Sequence, residues 1–177
     1  MRSGSSSPRV AGSGCCARSQ ARRPIWARGR AMSCGPTSTR PMLIVDTGPL
    51  VAYLNRNDRD HARCAAVLES RSDELLVTPY VVTEACYLVG KYVGAAAELN
   101  LVEALAAGDL SQITVTADDL RRMAELMRQY LGFPLGVADA SVIAVAERLD
   151  VSEVATLDQR HFRAVTPAHV PALMLLP

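Results

Sequence analysis

Four carboxylates stand where carboxylates are expensive. Leu43-Ile44-Val45 runs straight into Asp46 and a Thr47-Gly48-Pro49 turn, and Val154-Ala155-Thr156-Leu157 runs into Asp158. Counting by three and four along a helix, Glu84 shares a face with Val81, Ala85 and Leu88, and Asp139 with Val142, Ile143, Ala146 and Leu149. A buried unpaired charge is costly, and four acids drawn together would repel one another strongly. A divalent cation is the simplest compensation. Oxygen-only ligands favour Mg²⁺ or Mn²⁺, and no His/Cys set points to zinc. Mg²⁺ held through a few carboxylates and water suits phosphate chemistry, because it can activate water and stabilise a leaving oxygen. No nucleophilic Ser or Cys with an attendant base is required. Thr47 and Thr156 lie beside the strand-end acids, where a hydroxyl can bond a carboxylate or a water, or simply serve a turn and a strand.

Each acid also has an ordinary role open to it. Asp46 can cap a turn, Glu84 can pair with an arginine, Asp139 can sit in the first turn of its own helix, and Asp158 can cap residues 159–162. Capping accounts for Asp118 and Asp119 adequately, and Asp58 and Asp60 look the same.

These residues must be positioned by alternating elements. A strand over 42–46 leads to a short helix near 48–55, a polar loop and a helix over about 59–71. A second strand at 75–78 leads to a helix through about 92, with Thr78 as N-cap and Pro79 at its first position. A helix over about 94–107 ends at Gly108, and Ile113-Thr114-Val115 is a third strand. Thr116-Ala117-Asp118-Asp119 is a capping box opening a helix with Leu120, Met123, Met127 and Tyr130 on one face. A helix over 136–149, a fourth strand at 154–158 and a fifth near 172–176 complete the pattern. Strands separated by helices, without hairpin signals, predict an α/β fold with a mostly parallel sheet flanked by helices on both faces. In such sheets the carboxyl edge is where ligands bind, and if the strands before Asp46 and Asp158 are neighbours, all four acids converge there.

The chain has 177 residues. Residues 1–41 hold eight arginines and no acid, leaving 11 basic against 18 acidic residues and a net charge of −7 in 42–177. The first segment, rich in Ser, Gly, Arg and Pro, reads as a basic, disordered or non-native extension, and Met42 as the start of the domain. A basic nucleic-acid arm and a targeting segment are the other readings of it. Five cysteines without metal spacing argue against a disulfide framework and for a cytoplasmic setting. No apolar run is long enough to span a bilayer.

Taken in order, Ile44-Val45-Asp46-Thr47-Gly48-Pro49-Leu50, Thr78-Pro79 through Thr83-Glu84-Ala85, Ala138-Asp139-Ala140-Ser141 and Ala155-Thr156-Leu157-Asp158-Gln159-Arg160-His161-Phe162 resemble the PIN-domain ribonucleases. The resemblance is particularly to the VapC-type toxins of prokaryotic toxin–antitoxin pairs, and it covers roughly residues 42–177. It implies a PIN-like three-layer sandwich and Mg²⁺- or Mn²⁺-dependent endoribonuclease activity. Asp46, Glu84, Asp139 and Asp158 become an acidic quartet, Asp46 and Asp139 being the principal metal ligands, and Thr156 matches the family's hydroxyl near the last acid. A cognate antitoxin that blocks the acidic pocket and a homodimer are implied as partners. An RNA-processing PIN nuclease without an antitoxin and a non-catalytic PIN-like binding module are the rival readings. A haloacid-dehalogenase-type phosphatase is excluded, because its motif needs a second Asp where Gly48 stands.

An acidic domain is a poor unguided binder of phosphates, so RNA contact falls to local basic residues. Arg56 and Arg59 follow the first strand's turn, with His61 and Arg63, and Arg160 and His161 follow Asp158, with Arg163. A solvated charged surface is the competing reading of these side chains.

Overall fold

A computed structural model describes residues 41–70, 74–133 and 135–177. The expectations for residues 1–40 lie outside the described residues. Five strands form one sheet in the order β3-β2-β1-β4-β5, every neighbouring pair parallel. They are β1 (Met42–Val45), β2 (Glu74–Val77), β3 (Ser111–Gln112), β4 (Glu153–Ala155) and β5 (Met174–Leu176). Among the described residues seven helices accompany them: α1 (Thr47–Leu54), α2 (His61–Ser70), α3 (Pro79–Tyr92), α4 (Ala95–Ala106), α5 (Ala117–Gln129), α6 (Val137–Leu149) and α7 (Gln159–Ala164). None of the described helices is long and apolar enough to cross a membrane.

The central strands are apolar because both their faces are covered. Leu43, Ile44, Val45, Leu76, Val77 and Val154 are buried, as a parallel sheet between helical layers requires. Beside them α6 is buried from Ala140 to Ala146, and its small and β-branched residues let it lie close to the sheet. Strand order runs one way from β1 through β2 to β3, then resumes on the other side of β1 with β4 and β5. The switch point therefore lies between β1 and β4, and the crevice beyond their carboxyl ends is where a ligand belongs.

The predicted caps form. Thr78 caps α3 through Val81 N–H at 3.3 Å, and Thr116 and Asp119 bond reciprocally at the start of α5. Three expectations need correction. The third strand pairs through Ser111–Gln112, not 113–115, because its partner β2 stops at Val77 where Thr78-Pro79 opens a helix. On α5 the buried positions are Asp119, Met123 and Leu126, while Leu120 and Met127 are exposed. Arg148 draws Asp119 inward with contacts of 2.9 and 3.0 Å, turning that face of the helix to the core. The fourth strand ends at Ala155, so Asp158 does not close it as Asp46 closes β1. The Thr156 N–H still reaches Leu176 O at 2.7 Å, after which the chain leaves the sheet and Asp158 caps α7.

Candidate active site

Asp46 is the floor of the site. Its backbone N–H bonds Ala155 O at 2.9 Å, extending the β1–β4 ladder by one residue. Its side chain caps α1, Oδ1 accepting the Thr47 N–H at 2.7 Å and Oδ2 the Thr156 hydroxyl at 2.8 Å. The carboxylate is 5% exposed. Burial pushes its pKa up to about 6, against the two hydrogen bonds, and the negative charges of Asp139 and Glu84 push the same way.

The other three acids rise from this floor to the rim. Asp139 occupies the first turn of α6, its Oδ2 accepting the Gly136 N–H at 3.0 Å. Burial raises its pKa, opposed by that bond and by His161, and reinforced by the charges of Asp158 and Glu84. Asp158 caps α7, its Oδ1 accepting the His161 N–H at 3.3 Å, with its side chain 48% exposed. Glu84 accepts the Thr47 hydroxyl on Oε2 at 2.7 Å. It does not interrupt a buried stripe as its helical spacing suggested. It is exposed at the edge of α3, between the buried Val81 and Ala85 and the cleft. β2 ends at Val77 and α3 begins at Pro79, so Glu84, in the second turn of α3, comes after the strand has ended and lines the cleft.

All four acids border one cleft of about 1120 Å³, together with Thr47 and His161. Its walls are largely apolar, from Val51, Tyr80, Leu88, Val137 and Leu157. Thr156 is fully buried behind Asp46. The ordinary and the functional readings of the acids thus hold together. Asp46, Asp139 and Asp158 each use an oxygen to cap a helix start, and the capping brings three helix N-termini and their acids to one opening.

The scaffold behind the acids is tied by buried hydroxyls. Ser141 on α6 donates to Ala138 O at 2.7 Å, so the 2.6 Å contact with Thr78 has the Thr78 hydroxyl as donor. This joins the start of α3, which carries Glu84, to the first turns of α6, which carries Asp139. Gly48 meets the segment after β4 closely, since a Cβ there would lie 3.1 Å from Leu157 Cβ.

The basic candidates divide. His161 enters the cleft, its Nδ1 being 3.2 Å from Asp139 Oδ2 and 3.0 Å from Asp158 Oδ2. Arg160 stacks over Phe133, 4.9 Å from the ring centre. Arg56 and Arg59 are exposed and are not among the cleft's lining residues, and Arg59 leans on Asp60 at 3.4 Å. The fold brings Asp58 to the cleft instead, a residue that capping alone seemed to explain. Tyr80 and Tyr87, four residues before and three after Glu84, also line it. Their helical spacing around Glu84 was the available signal.

Among the described residues, no group of three His, Cys, Asp or Glu side chains has the arrangement of a formed metal site. The donor set nonetheless suits a hard divalent ion. It is all oxygen, its deepest carboxyls are held protonated longer than usual by burial and mutual repulsion, and Mg²⁺ needs only one or two carboxylates with water completing its shell.

A family model for the PIN domain matches residues 43–166. The chain is 37% identical over 125 residues to ribonuclease VapC26 of Mycobacterium tuberculosis, covering 71% of this chain and 93% of that protein. Among solved structures it is similar to Mycobacterium tuberculosis VapC20, a sarcin–ricin loop cleaving toxin. The TM-score is 0.65 at 19% identity, over 73% of this chain and 98% of that one. It is also similar to a toxin–antitoxin complex from Klebsiella pneumoniae, with TM-score 0.55 at 20% identity, over 75% of this chain and 99% of that one. With the predicted fold, the switch-point cleft and this sequence relationship in agreement, the chain belongs to the PIN-domain family and is of the VapC type.

Proposed function

We propose that this protein is a Mg²⁺- or Mn²⁺-dependent endoribonuclease, the toxin of a toxin–antitoxin pair. The observation that carries the reading is the cleft itself, where Asp46, Glu84, Asp139 and Asp158 border one opening and the deepest has its pKa raised to about 6. Asp46 and Asp139 are the residues to hold the ion, with Glu84 and Asp158 completing the site. The bound ion supplies neutralisation of the acids' charge, a water of lowered pKa and stabilisation of the departing oxygen. Thr156 and the Thr47 N–H hold the Asp46 carboxylate in one orientation and favour its charged form. Thr47 orients Glu84 through its hydroxyl, keeping that acid at the rim where it can accept a proton from an attacking water. Tyr80 and Tyr87 flank Glu84 with ring surface on which unpaired bases can stack.

An antitoxin partner is favoured by the kinship with proteins found in such complexes. Exposed Tyr87, Tyr92 and Val93 on and just after α3, with Leu99 and Val102 on α4, supply apolar surface for it or for a homodimer. Nuclease activity is tested by incubating the full-length protein and Asp46→Asn with RNA, in Mg²⁺ and in EDTA. The partnership is tested by looking for a small open reading frame adjoining the gene and co-expressing its product; absence of such a frame counts against the toxin assignment. Relief of growth inhibition is expected, and no relief removes the toxin assignment while leaving the nuclease intact.

A further inference from the structure

The cleft is not symmetric about its acids. His161 Nδ1 lies between Asp139 Oδ2 and Asp158 Oδ2, 3.2 and 3.0 Å away. The nitrogen is buried and aligned as a hydrogen bond with neither, so it meets both by proximity alone. Two carboxylate oxygens from different helix starts therefore converge on this one nitrogen. The ring is not a free rotor. Its face meets the edge of Phe133, or the reverse, at 4.9 Å and 87°, and the Phe133 ring is covered in turn by Arg160 at 4.9 Å. Its own backbone N–H bonds Asp158 Oδ1, so imidazole and acid are fixed by the same helical turn.

The Asp46 side differs. There the partners are hydroxyls and a backbone N–H, from Thr47 and Thr156, with no basic group among the described residues. Asp139 spends Oδ2 on Gly136 and His161, and its Oδ1 accepts no hydrogen bond among the described residues. A ring nitrogen of the protein's own thus occupies the space between the acids in one half of the cluster, while hydroxyls and a backbone N–H meet the acids of the other half.

Resting on the metal-dependent reading above, we propose that His161 fills the place between Asp139 and Asp158 that a second divalent ion would take. The domain then holds one ion, on the Asp46 side. Asp158 acts as the anchor of this plug, and His161 is a positioning residue that sets the metal count.

The test is Mn²⁺ titration of the full-length protein, by calorimetry and by electron paramagnetic resonance of free Mn²⁺. Wild type binds one Mn²⁺ per chain. His161→Ala binds two, with an unchanged circular dichroism spectrum. His161→Gln, whose amide can still donate between the two acids, stays at one. Phe133→Ala frees the ring without touching either acid, gains a second and weaker Mn²⁺, and stands in if His161→Ala does not fold. Two ions on wild type, or a single ion on a folded His161→Ala, overturns the proposal and leaves the metal reading standing. No Mn²⁺ on wild type overturns the metal reading, and this proposal with it.

Discussion

The Thr156 hydroxyl donates to Asp46 Oδ2 at 2.8 Å and accepts the Asp158 N–H at 3.0 Å, so one buried side chain joins the acid after β1 to the acid that caps α7. Thr156→Val keeps the shape and removes both bonds. It leaves a buried carboxylate short of a donor and a partly buried N–H short of an acceptor. Unfolding free energy should fall by about 1–3 kcal/mol at pH 8. RNA cleavage should fall by more than that stability loss explains. Urea denaturation and initial cleavage rates, measured on the same preparations, check this.

Burial sets a pH dependence on the metal-free protein. The pKa of Asp46 is raised to about 6 from an ordinary 3.8. Folding therefore favours the protonated acid. That contribution is fully present below about pH 4 and is lost as pH rises through about 6. Its full size is roughly 3 kcal/mol, from 1.36 kcal/mol per pKa unit. Asp46→Asn is neutral at every pH and escapes the loss. In EDTA, the variant's stability relative to wild type should therefore climb between pH 4 and pH 7, by up to that amount. Urea denaturation across this range gives the difference directly, and a flat difference contradicts the buried-acid account.

A divalent ion should reverse the same penalty. It favours the ionised acids, so Mg²⁺ or Mn²⁺ should stabilise wild type at pH 8 and much less at pH 5. At a hundred times the dissociation constant the gain is about 2.7 kcal/mol. EDTA should abolish it, and Asp46→Asn should show little of it. Thermal melts with and without the ion make the comparison.

Ser141→Ala tests the tie between α3 and α6. The Thr78 hydroxyl loses its acceptor inside a fully buried pair, at a cost of about 1–3 kcal/mol. Because the tie sets the spacing of Glu84 and Asp139 and touches neither, cleavage should be reduced but not lost. Chemical denaturation and residual activity check it, and complete loss of activity in a folded protein would assign Ser141 a direct role.

The parts of this protein readable in its residues are those where a local pattern and the global fold coincide. Apolar runs ending in acids marked β1 and the approach to α7, and Thr78-Pro79 marked the start of α3. Thr116 and Asp119 marked the start of α5 in the same way. The parallel α/β fold followed from the alternation of elements. Less readable was anything set by how far a strand's partner extends. Asp158 looked like a second Asp46, yet β4 ends three residues before it, and the acid is about half exposed in place of buried. Glu84 fits a helical stripe by spacing, but it is exposed beside the buried Val81 and Ala85, and the stripe's edge becomes the cleft's rim. Arg56 and Arg59 lie near Asp46 in sequence, while the loop that carries them presents Asp58 to the opening. The placement of His161 between two acids depends on Phe133, 28 positions away, and no local pattern carries it.

The central claim is that these acids cleave RNA with a divalent ion, and one add-back experiment addresses it. The full-length protein is stripped with EDTA, mixed with RNA, and then supplied with excess Mg²⁺, beside Asp46→Asn treated identically. The account predicts no cleavage before addition, cleavage by wild type after it, and none by Asp46→Asn at any stage. Cleavage in EDTA, or equal cleavage by the two proteins, would contradict it.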